Sequence, residues 1–366
     1  MYFNNIFKNK KILITGHTGF KGSWLSLWLS LLDAKIYGVS LYTPSPISHY
    51  DLIKANLNVK SYIADINNFT NLNKIVKQVK PDFVFHLAAQ ALVKKSYEKP
   101  LNTIYTNSIG TANVMESIKQ LDKKVTIVMV TSDKCYLDQN LKRGYSENDL
   151  LGGYDPYSAS KAMAENVIFS YFHSFFKYKK KLKIGIGRAG NVIGGGDWAE
   201  NRLVPDIFLN YHNKKKINIK NPDSTRPWQH VLEPLSGYLT LATNLYYSKE
   251  NNGEPFNFGP KIRNSISVKK LIEMFNINDK NINFLNKKNY NQIKETKLLS
   301  LNCSKAKERL GWIPCLNMQE TVKFTNDWYA DFYNNQNIFK LSTDQIKQYM
   351  NIAKTQKLIW TQNLKK

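Results

Sequence analysis

The sequence predicts a protein of the α/β class, because three features of the chain point the same way. From its first residues, short apolar β-branched runs alternate with segments of helical apolar spacing, which is typical of a parallel sheet covered by helices. The first run ends in a glycine-rich turn that leads directly into a helix. After residue 191 the alternation breaks, and glycine, proline and asparagine become frequent. We therefore expect a Rossmann-type, doubly wound parallel sheet with a smaller, discontinuous α/β substrate-binding lobe.

The predicted strands are short apolar runs, as expected for strands buried between helices. They cover residues 11–15, 35–40, 61–66, 82–89, 125–132, 183–191 and 255–259. The predicted helices cover the stretch from the glycine turn to residue 32, then 71–79, 101–119, 157–176 and 235–247. Residues 192–231 show no strong period, and short elements are expected from 267 to 328.

The order of these elements indicates two interleaved units. Residues 1–191 and 234–260 would form the dinucleotide-binding domain, and residues 192–233 and 261–340 the second lobe. The linkers between them are too short for independent domains. The amphipathic segment 341–366 is expected to be a helical tail that packs on the body or on a second subunit.

Charge and composition restrict the partners. The chain has 366 residues, with 52 Lys and Arg against 28 Asp and Glu, so its formal net charge is +24. The cations are mostly lysines spread along the chain, without a helix-turn-helix, zinc-finger or RNA-recognition pattern, so we expect no nucleic-acid partner. A basic surface would instead attract an anionic small substrate.

Location and metal content are inferred from what the sequence lacks. No apolar run reaches the ~18 residues that a membrane-spanning helix needs, and the first ten residues do not resemble a secretory signal. Cys135, Cys303 and Cys315 are too scattered for a disulfide framework or a zinc site. We expect a cytoplasmic protein with no metal ion and no membrane contact.

The glycine turn is the first candidate site. Gly16, Gly19 and Gly22 form G-x-x-G-x-x-G between the first predicted strand and the first helix. Glycine there permits a tight turn and close approach of the backbone to a pyrophosphate, while the first N–H groups of the helix face the phosphates. We expect Thr18 and Phe20 of the same turn to contact the dinucleotide as well.

The carboxyl ends of the next strands should complete this dinucleotide site. The second strand usually ends in an acid that binds the adenosine ribose, but here it ends in the sequence SLY (40–42), with no arginine nearby. NAD and NADP both stay open, and we favour NAD. Asp65 and Ile66 could hold the adenine edge, or Asp65 could simply cap a turn. Further cofactor contacts are expected at the end of the fourth strand, at Leu87, Ala88 and Ala89.

Tyr157 and Lys161 form a Y-x-x-x-K pattern on a predicted helix, which places both side chains on one face. A lysine ammonium close to a tyrosine hydroxyl stabilises the phenolate and should lower the tyrosine pKa. A phenolate beside a nicotinamide can take a proton from an alcohol while hydride leaves the same carbon. The pair is therefore a candidate for redox chemistry.

The segment TSDKCY (131–136) lies at the carboxyl end of the fifth predicted strand, where ligands bind in open α/β sheets. Ser132, Asp133 and Lys134 place a hydroxyl, a carboxyl and an amine there, opposite Tyr157. Such a set can supply several proton transfers. Cys135 has no base partner and is not expected to be a nucleophile.

The chain resembles the extended short-chain dehydrogenase/reductase superfamily in the segments GHTGFKG, SDKCY, RAGNVIGGGDW and RPWQHVLEPL. Within that superfamily the resemblance is to the nucleotide-sugar 4,6-dehydratases, in the branch that acts on CDP-glucose, and it covers nearly the whole chain. The glycine turn and Y-x-x-x-K by themselves indicate only the superfamily.

This resemblance implies a redox cycle with NAD. Tyr157 would take the proton of the sugar 4-hydroxyl while NAD⁺ takes the C4 hydride, water would leave from C5 and C6, and the hydride would return to C6. Ser132 would bind the 4-oxygen, and Asp133 would protonate the leaving 6-hydroxyl. Related dehydratases carry glutamate as the C5 base where this chain has Lys134. That lysine would be the base, in neutral form, or would polarise the ketone.

The resemblance also implies substrate contacts and an oligomer. Asn191 and Arg226 would hold the sugar diphosphate, Arg202 would assist, and His230 would be structural or lie near the substrate. His86 is expected to be a packed residue, and Trp198 a stacking surface or part of the core. Helices 101–119 and 157–176 would form the contact of a homodimer or homotetramer.

Two other functions stay open on the sequence alone. A 4-epimerase or a dehydratase for another nucleotide sugar would use the same Tyr157 and Lys161, but an epimerase does not need the Asp133–Lys134 pair. A non-catalytic dinucleotide-binding regulator or a basic nucleic-acid binder would need none of these side chains.

Overall fold

A parallel sheet forms the centre of the molecule. The structure, a computed structural model, describes residues 2–43, 45–219, 222–260, 266–275, 282–284 and 300–362. Seven strands pair in parallel in the order β3-β2-β1-β4-β5-β6-β11. They are β1 Lys11–Thr15, β2 Lys35–Ser40, β3 Val59–Ile63, β4 Phe83–His86, β5 Val125–Val130, β6 Leu182–Ala189 and β11 Pro255–Phe258. The strand order reverses between β1 and β4, which is where open sheets of this kind bind ligands. The predicted α/β class is confirmed.

Helices cover both faces of the sheet. They are α1 Phe20–Leu31, α2 His49–Ile53, α3 Phe69–Val79, α4 Val93–Glu98, α5 Pro100–Ile104, α6 Gly110–Lys119, α7 Pro156–Ser174, α8 Leu203–His212, α9 Leu232–Tyr247, α10 Val268–Met274, α11 Ser304–Leu310, α12 Met318–Tyr333 and α13 Ile338–Thr355. One apolar layer joins α3, α6 and α7 to the sheet, and the other joins α1, α9, α12 and α13 to its opposite face. Every residue of β6 is buried, as expected for a strand covered on both faces.

Short strands pair outside the main sheet. They are β7 Val192–Ile193, β8 Ile217–Ile219, β9 Thr225–Arg226, β10 Gln229–His230, β12 Ile266–Ser267 and β13 Ile282–Phe284. They form three two-stranded pairs, β7 with β10, β9 with β12 and β8 with β13. These pairs lie in the two segments that the sequence analysis assigns to the second lobe. The domain division itself stays a prediction.

The third strand begins two residues before and ends three residues before the predicted range 61–66. After Ile63 the chain turns, because the Asp65 carboxylate accepts the Asn67 backbone N–H at 2.8 Å. Asn68 then caps α3 by accepting the N–H of Asn71. These local side-chain bonds compete with strand pairing, so Asp65 lies in a loop instead of at a strand end.

The predicted helix 101–119 is interrupted. A single π-helical turn, Tyr105–Ile109, separates α5 from α6. The turn places Asn107 between the β4 loop and α7: its Oδ1 accepts the Gln90 N–H at 2.8 Å, and its Nδ2 donates to Ser160 Oγ at 2.8 Å. π turns of this kind often occur beside functional sites.

Two helices appear where no strong or long element was predicted. α8 lies in the stretch 192–231, and α12 has 16 residues although only short elements were expected there. A capping box at Asn317 and Glu320 starts α12, a signal that the sequence analysis missed.

The C-terminal segment packs on the body of the same chain, one of the two expected outcomes. α13 begins at Ile338, three residues before the predicted tail, and contacts α1, α2 and α12. Predicted lobe residues 261–265, 276–281 and 285–299, and tail residues 363–366, lie outside the described residues. Within the described residues, no helix combines the length and the apolar character that crossing a bilayer requires.

Candidate active site

The glycine turn after β1 has no room for side chains. Gly16 has φ +77°, and a Cβ there would lie 2.7 Å from the Ala88 backbone nitrogen. A Cβ at Gly22 would lie 2.0 Å from the Gly16 carbonyl oxygen. α1 starts at Phe20 directly after Gly19, and no described side chain caps its first turn. The turn is therefore shaped for backbone approach to a ligand at the helix N-terminus.

A neutral histidine, His17, lies in the glycine turn against the end of β2, the strand that usually ends in an acid. His17 is fully buried, with Nδ1 3.0 Å from Ser40 Oγ and Nε2 2.8 Å from Ser61 Oγ. Burial lowers the His17 pKa to about 4, so the ring is uncharged at neutral pH. Thr18 Oγ1 donates to the Tyr42 carbonyl at 2.7 Å. The end of β2 thus presents hydroxyls and carbonyls instead of a carboxylate.

The other expected dinucleotide contacts follow β3 and β4 in the chain. Asp65 is half-buried, and its bond to the Asn67 N–H is the turn cap that the sequence left open. Ile66 is buried against Gly110 of α6. Residues 87–89 are half-buried, and the Ala88 N–H donates to Thr15 Oγ1 at 3.3 Å.

Three catalytic candidates meet at the end of β5. Ser132 caps a short 3₁₀ turn, Asp133–Cys135, by accepting the Lys134 N–H at 3.1 Å, and its hydroxyl donates to Asp133 Oδ1 at 2.8 Å. Asp155 caps α7, which places Tyr157 in the first turn of that helix. The Tyr157 hydroxyl hydrogen-bonds Ser132, so a hydroxyl joins the phenol to the carboxyl.

The pKa of Tyr157 differs from the value that the sequence led us to expect. Burial raises the Tyr157 pKa to about 12, although the Ser132 hydrogen bond opposes the rise. The expected lowering is therefore wrong for the protein by itself: Lys161 Nζ lies 5.9 Å from the centre of the phenol ring, and burial lowers its own pKa to about 8. Burial also raises the pKa of Asp133, which favours the protonated acid.

Lys134 lies half-buried beside Asp133, and its charge is the strongest influence that lowers the Asp133 pKa. A second lysine, which the sequence analysis did not single out, lies in the same cluster. Lys21 is the second residue of α1, and its pKa is lowered to about 8 by burial and by the charges of Arg202 and Lys161. A lysine at a helix N-terminus, against the helix dipole, was the signal that could have identified it.

A buried ion pair links the elements that carry the catalytic candidates. Arg188 of β6 binds Glu165 of α7 through two N–H groups, each 2.9 Å from a carboxylate oxygen. Glu165 also accepts the Thr131 hydroxyl at 2.5 Å, and Arg188 Nη1 donates to the Tyr136 hydroxyl at 2.8 Å. Both charged side chains are almost fully buried. The pair thus ties the helix that carries Tyr157 to the strand end that carries Asp133.

The three polar residues expected to bind substrate lie in different surroundings. Arg202 forms a 2.9 Å salt bridge with Asp197, and its charge acts on Tyr157, so it borders the catalytic cluster. Asn191 is exposed just after β6. Arg226 is half-buried on β9, with Nη1 donating to the Thr225 carbonyl at 2.9 Å.

His230 belongs to the core. Its ring is fully buried, 6.2 Å from Trp24 and 5.4 Å from Phe324 between ring centres, and burial lowers its pKa to about 3. Of the two roles left open for His230, the structural one matches this position.

Two further residues also have packing roles. His86 is buried between Thr15 and Thr111, as expected. Trp198 packs on aromatic rings of α12, as expected for the core alternative. In the part of the chain that the structure describes, no three His, Cys, Asp or Glu side chains group as metal ligands would.

The parallel sheet, the glycine turn after β1 and the helix that carries Tyr157 and Lys161 define an enzyme of the extended short-chain dehydrogenase/reductase class. The model of the GDP-mannose 4,6 dehydratase family matches residues 13–325. This chain belongs to that family.

Individual relatives agree with this assignment. The chain is 41% identical to the CDP-glucose 4,6-dehydratase of Salmonella typhimurium, over 96% of this chain and 99% of the relative. Among solved structures, the epimerase Mth375 of Methanothermobacter thermautotrophicus has a TM-score of 0.77 at 22% identity, covering 92% of this chain and 96% of its own. The dTDP-glucose 4,6-dehydratase of Bacillus anthracis, solved with NAD, has a TM-score of 0.73 at 22% identity, covering 90% and 99%. These two structures share the fold.

Proposed function

We propose that this protein is an NAD-dependent dehydratase that converts CDP-glucose to CDP-4-keto-6-deoxyglucose, a step towards deoxysugars of surface polysaccharides. The observation that carries the proposal is the continuous chain of hydrogen bonds from Tyr157 through Ser132 to Asp133. The reaction requires a redox base and an elimination acid in one site, and Tyr157 and Asp133 would fill these roles. The relative that is 41% identical over almost its full length supports the choice of CDP-glucose.

The glycine turn fits a bound dinucleotide, because Gly16 and Gly22 have no room for a Cβ against the chain's own backbone, so the turn stays tight and presents backbone to a pyrophosphate at the start of α1. Gly19, Thr18 and Phe20 would complete that cradle. Residues further along the crevice would hold the rest of the cofactor: Asp65, Ile66, Leu87, Ala88, Ala89, Tyr157 and Lys161. When bound, NAD supplies hydride acceptance from C4 and hydride return to C6.

Tyr157 takes the proton of the sugar 4-hydroxyl. Its pKa of about 12 in the protein by itself is too high for a base at neutral pH, so positive charge brought by the bound ligands has to lower that pKa further. The Arg202 charge already opposes the rise in the Tyr157 pKa, and Lys161 Nζ lies 5.9 Å from the centre of the Tyr157 ring. Ser132 holds the 4-oxygen in line with the phenol.

Asp133 protonates the leaving 6-hydroxyl. Burial raises the pKa of this carboxyl, which favours the protonated form that a general acid needs. Lys134 contributes a positive charge that polarises the C4 ketone or, in neutral form, an amine that removes the C5 proton. Asn191, Arg202 and Arg226 bind the diphosphate, with arginines as the natural donors to its oxygens.

The direct test is incubation of the purified protein with CDP-glucose and NAD, followed by alkaline absorbance, since 4-keto-6-deoxy sugars absorb in the near ultraviolet at high pH. We expect a product from CDP-glucose and much less from the glucose derivatives of other nucleotides. If no nucleotide-glucose is dehydrated but a C4 epimer forms, the protein is an epimerase and this proposal is wrong.

Asp133→Asn should slow the loss of the 6-hydroxyl by about 10²–10⁴-fold while C4 oxidation continues, because an amide cannot donate the acid proton. Bound reduced nicotinamide should then accumulate in a single turnover, which near-ultraviolet absorbance follows. Asp138→Asn, in the exposed loop beyond the site, is the control and should behave as wild type. Equal slowing of oxidation and elimination would remove the acid role from Asp133.

We also propose a homodimer built on α5, α6 and α7. Large apolar side chains of α5, of the π turn that follows it and of α7 are in contact with solvent, including Leu101 at 69% exposure and Phe169 at 63%. Such a patch is typical of a protein interface. Phe169→Glu should convert the dimer to monomers in light scattering, whereas Tyr178→Glu, equally exposed at 74% but beyond α7, should not. A monomeric wild-type protein would contradict this proposal.

A further inference from the structure

Arg202 and Arg188 both pair with a buried carboxylate, but they use their guanidinium groups differently. Arg188 binds Glu165 through two N–H groups and donates a further one to the Tyr136 hydroxyl. Arg202 gives a single N–H, from Nη1, to Asp197 Oδ2 at 2.9 Å, and its side chain is 34% exposed. Among the described residues, no other group accepts a hydrogen bond from this guanidinium. Its remaining N–H groups can therefore bind the oxygens of an anionic ligand.

The Asp197 carboxylate has a fixed direction. Its side chain is only 6% exposed, and Oδ1 accepts the Ala199 N–H at 3.2 Å while Oδ2 accepts Arg202. The backbone of Arg202 is held as well, because this residue precedes α8 and its carbonyl accepts the Asp206 N–H at 3.1 Å. Both ends of the long arginine side chain are thus fixed before any ligand arrives. Such pre-organisation lowers the entropic cost of binding.

The backbone of Asp197 is held by the C-terminal helices. Tyr329 of α12 is fully buried, and its hydroxyl donates to the Asp197 carbonyl at 2.6 Å. The neighbouring Trp328 packs directly on Gly195, where a Cβ would lie 1.9 Å from the indole ring. The Trp328 indole also donates to Ser342 Oγ of α13 at 3.0 Å. The position of Asp197 therefore depends on α12 and α13.

The loop that carries Asp197, residues 194–197, also lies against the start of α1. The Trp24 indole of α1 donates to a backbone carbonyl of this loop at 3.0 Å, and a Cβ at Gly194 would lie 3.4 Å from the Phe20 ring. Phe20 is the first residue of α1, directly after the glycine turn. The Arg202 charge opposes the rise in the Tyr157 pKa, which agrees with this location. The loop thus connects the C-terminal helices with the region where cofactor and sugar nucleotide would bind.

Resting on the proposed dehydratase function, we propose that Asp197 positions Arg202 to bind the substrate diphosphate, and that α12 takes part in substrate binding through its Tyr329 contact with Asp197. Asp197 is a positioning residue, because both of its carboxylate oxygens are occupied within the protein and a carboxylate would repel phosphate oxygens. The guanidinium that it holds by one N–H presents the others to the ligand.

The first test is Asp197→Asn, which keeps the size of the side chain and an acceptor for the Ala199 N–H but removes the charge that holds Arg202. We expect the KM for CDP-glucose, and the Kd for CDP in calorimetric titration, to rise about 10- to 10²-fold, as for loss of a hydrogen bond to a charged group. The kcat and the Kd for NAD should change far less. Asp327→Asn, which breaks an exposed salt bridge with Lys323 on α12, is the matched control and should equal wild type.

A double variant decides whether Asp197 acts through Arg202. Arg202→Met should raise the KM at least as much as Asp197→Asn does, and Asp197→Asn should raise it no further when Arg202→Met is already present. An aspartate that merely stabilised the loop would add its own loss of affinity in the double variant.

Tyr329→Phe tests the contact with α12 and replaces Asp197→Asn if that variant does not fold. Loss of the hydroxyl should raise the KM several-fold, and this rise should be absent when Arg202→Met is present. Tyr333→Phe, on the same helix, is the matched control, because among the described residues the Tyr333 hydroxyl has no hydrogen-bond partner. It should retain the wild-type KM.

The outcomes separate this inference from the proposed function. Wild type that dehydrates no nucleotide-glucose would contradict the function itself. An active wild type whose KM is unchanged in Asp197→Asn and Tyr329→Phe would contradict only the positioning role of Asp197. The same holds if the effect of either variant adds in full to that of Arg202→Met, or if Arg202→Met itself keeps the wild-type KM.

Discussion

Tyr157→Phe should lower hydride transfer by about 10²–10⁴-fold and change dinucleotide binding far less, because the other cofactor contacts stay in place. The phenol oxygen is the atom that hydrogen-bonds Ser132 and would take the sugar proton, whereas the ring alone fills the buried position at the start of α7. Removing the oxygen therefore deletes a base without opening a cavity. Single-turnover absorbance of reduced nicotinamide measures the chemistry, and calorimetric titration with NAD measures binding.

Tyr154→Phe provides the matched control, because this tyrosine precedes α7 and is 83% exposed. It should retain wild-type rates. A Tyr157→Phe variant that forms reduced nicotinamide at the wild-type rate would show that another group takes the proton, and the mechanism proposed above would then be wrong.

Arg188→Leu should destabilise the fold by about 3–5 kcal/mol, because it leaves the buried Glu165 carboxylate without its partner. Glu165 would retain only the Thr131 hydroxyl, and the Tyr136 hydroxyl would lose a donor. The free energy of unfolding, from urea titration followed by fluorescence, measures the effect. Catalysis should fall too, because the pair joins the helix of Tyr157 to the strands beside Asp133.

Arg143→Leu is the control for loss of an arginine ion pair. Arg143 binds Asp149 on the surface, where its side chain is 54% exposed, so the loss of stability should be much smaller than for Arg188→Leu. The double variant Arg188→Leu/Glu165→Leu should be more stable than Arg188→Leu alone, since no unpaired charge stays buried. If the double variant loses the sum of both single effects, packing and not charge is what the pair contributes.

Sequence patterns predicted the main sheet well and its surroundings less well. β1 and β2 have the predicted bounds, because a run of β-branched residues between a polar start and a glycine or serine end determines a buried strand locally. β3 ends early because the Asp65 carboxylate accepts the Asn67 N–H, and the helix 101–119 contains a π turn whose Asn107 binds Ser160 in another segment. Periodicity does not contain that information.

The residues of the candidate site, too, were predicted only in part. The glycine turn and the Tyr157–Lys161 pair were recognised because each is a local spacing with a geometric reason. Lys21 and the neutral His17 were missed, since what makes them notable is their surroundings: Asp133 and Arg202 for the one, Ser40 and Ser61 for the other. His230, for which a structural role and a place near the substrate were both open, packs against the rings of Trp24 and Phe324.

The sequence by itself determined the alternation of strands and helices, the glycine turn after β1 and the Tyr157–Lys161 pair, because each depends on residues within a few positions of one another. The tertiary structure decided which charges face each other. Burial then sets the protonation states: it raises the pKa of Tyr157 and Asp133 and lowers that of Lys21 and Lys161. Desolvation and Coulomb interactions act through space between α1, β5, α7 and the loop before α8, so only the folded arrangement specifies them.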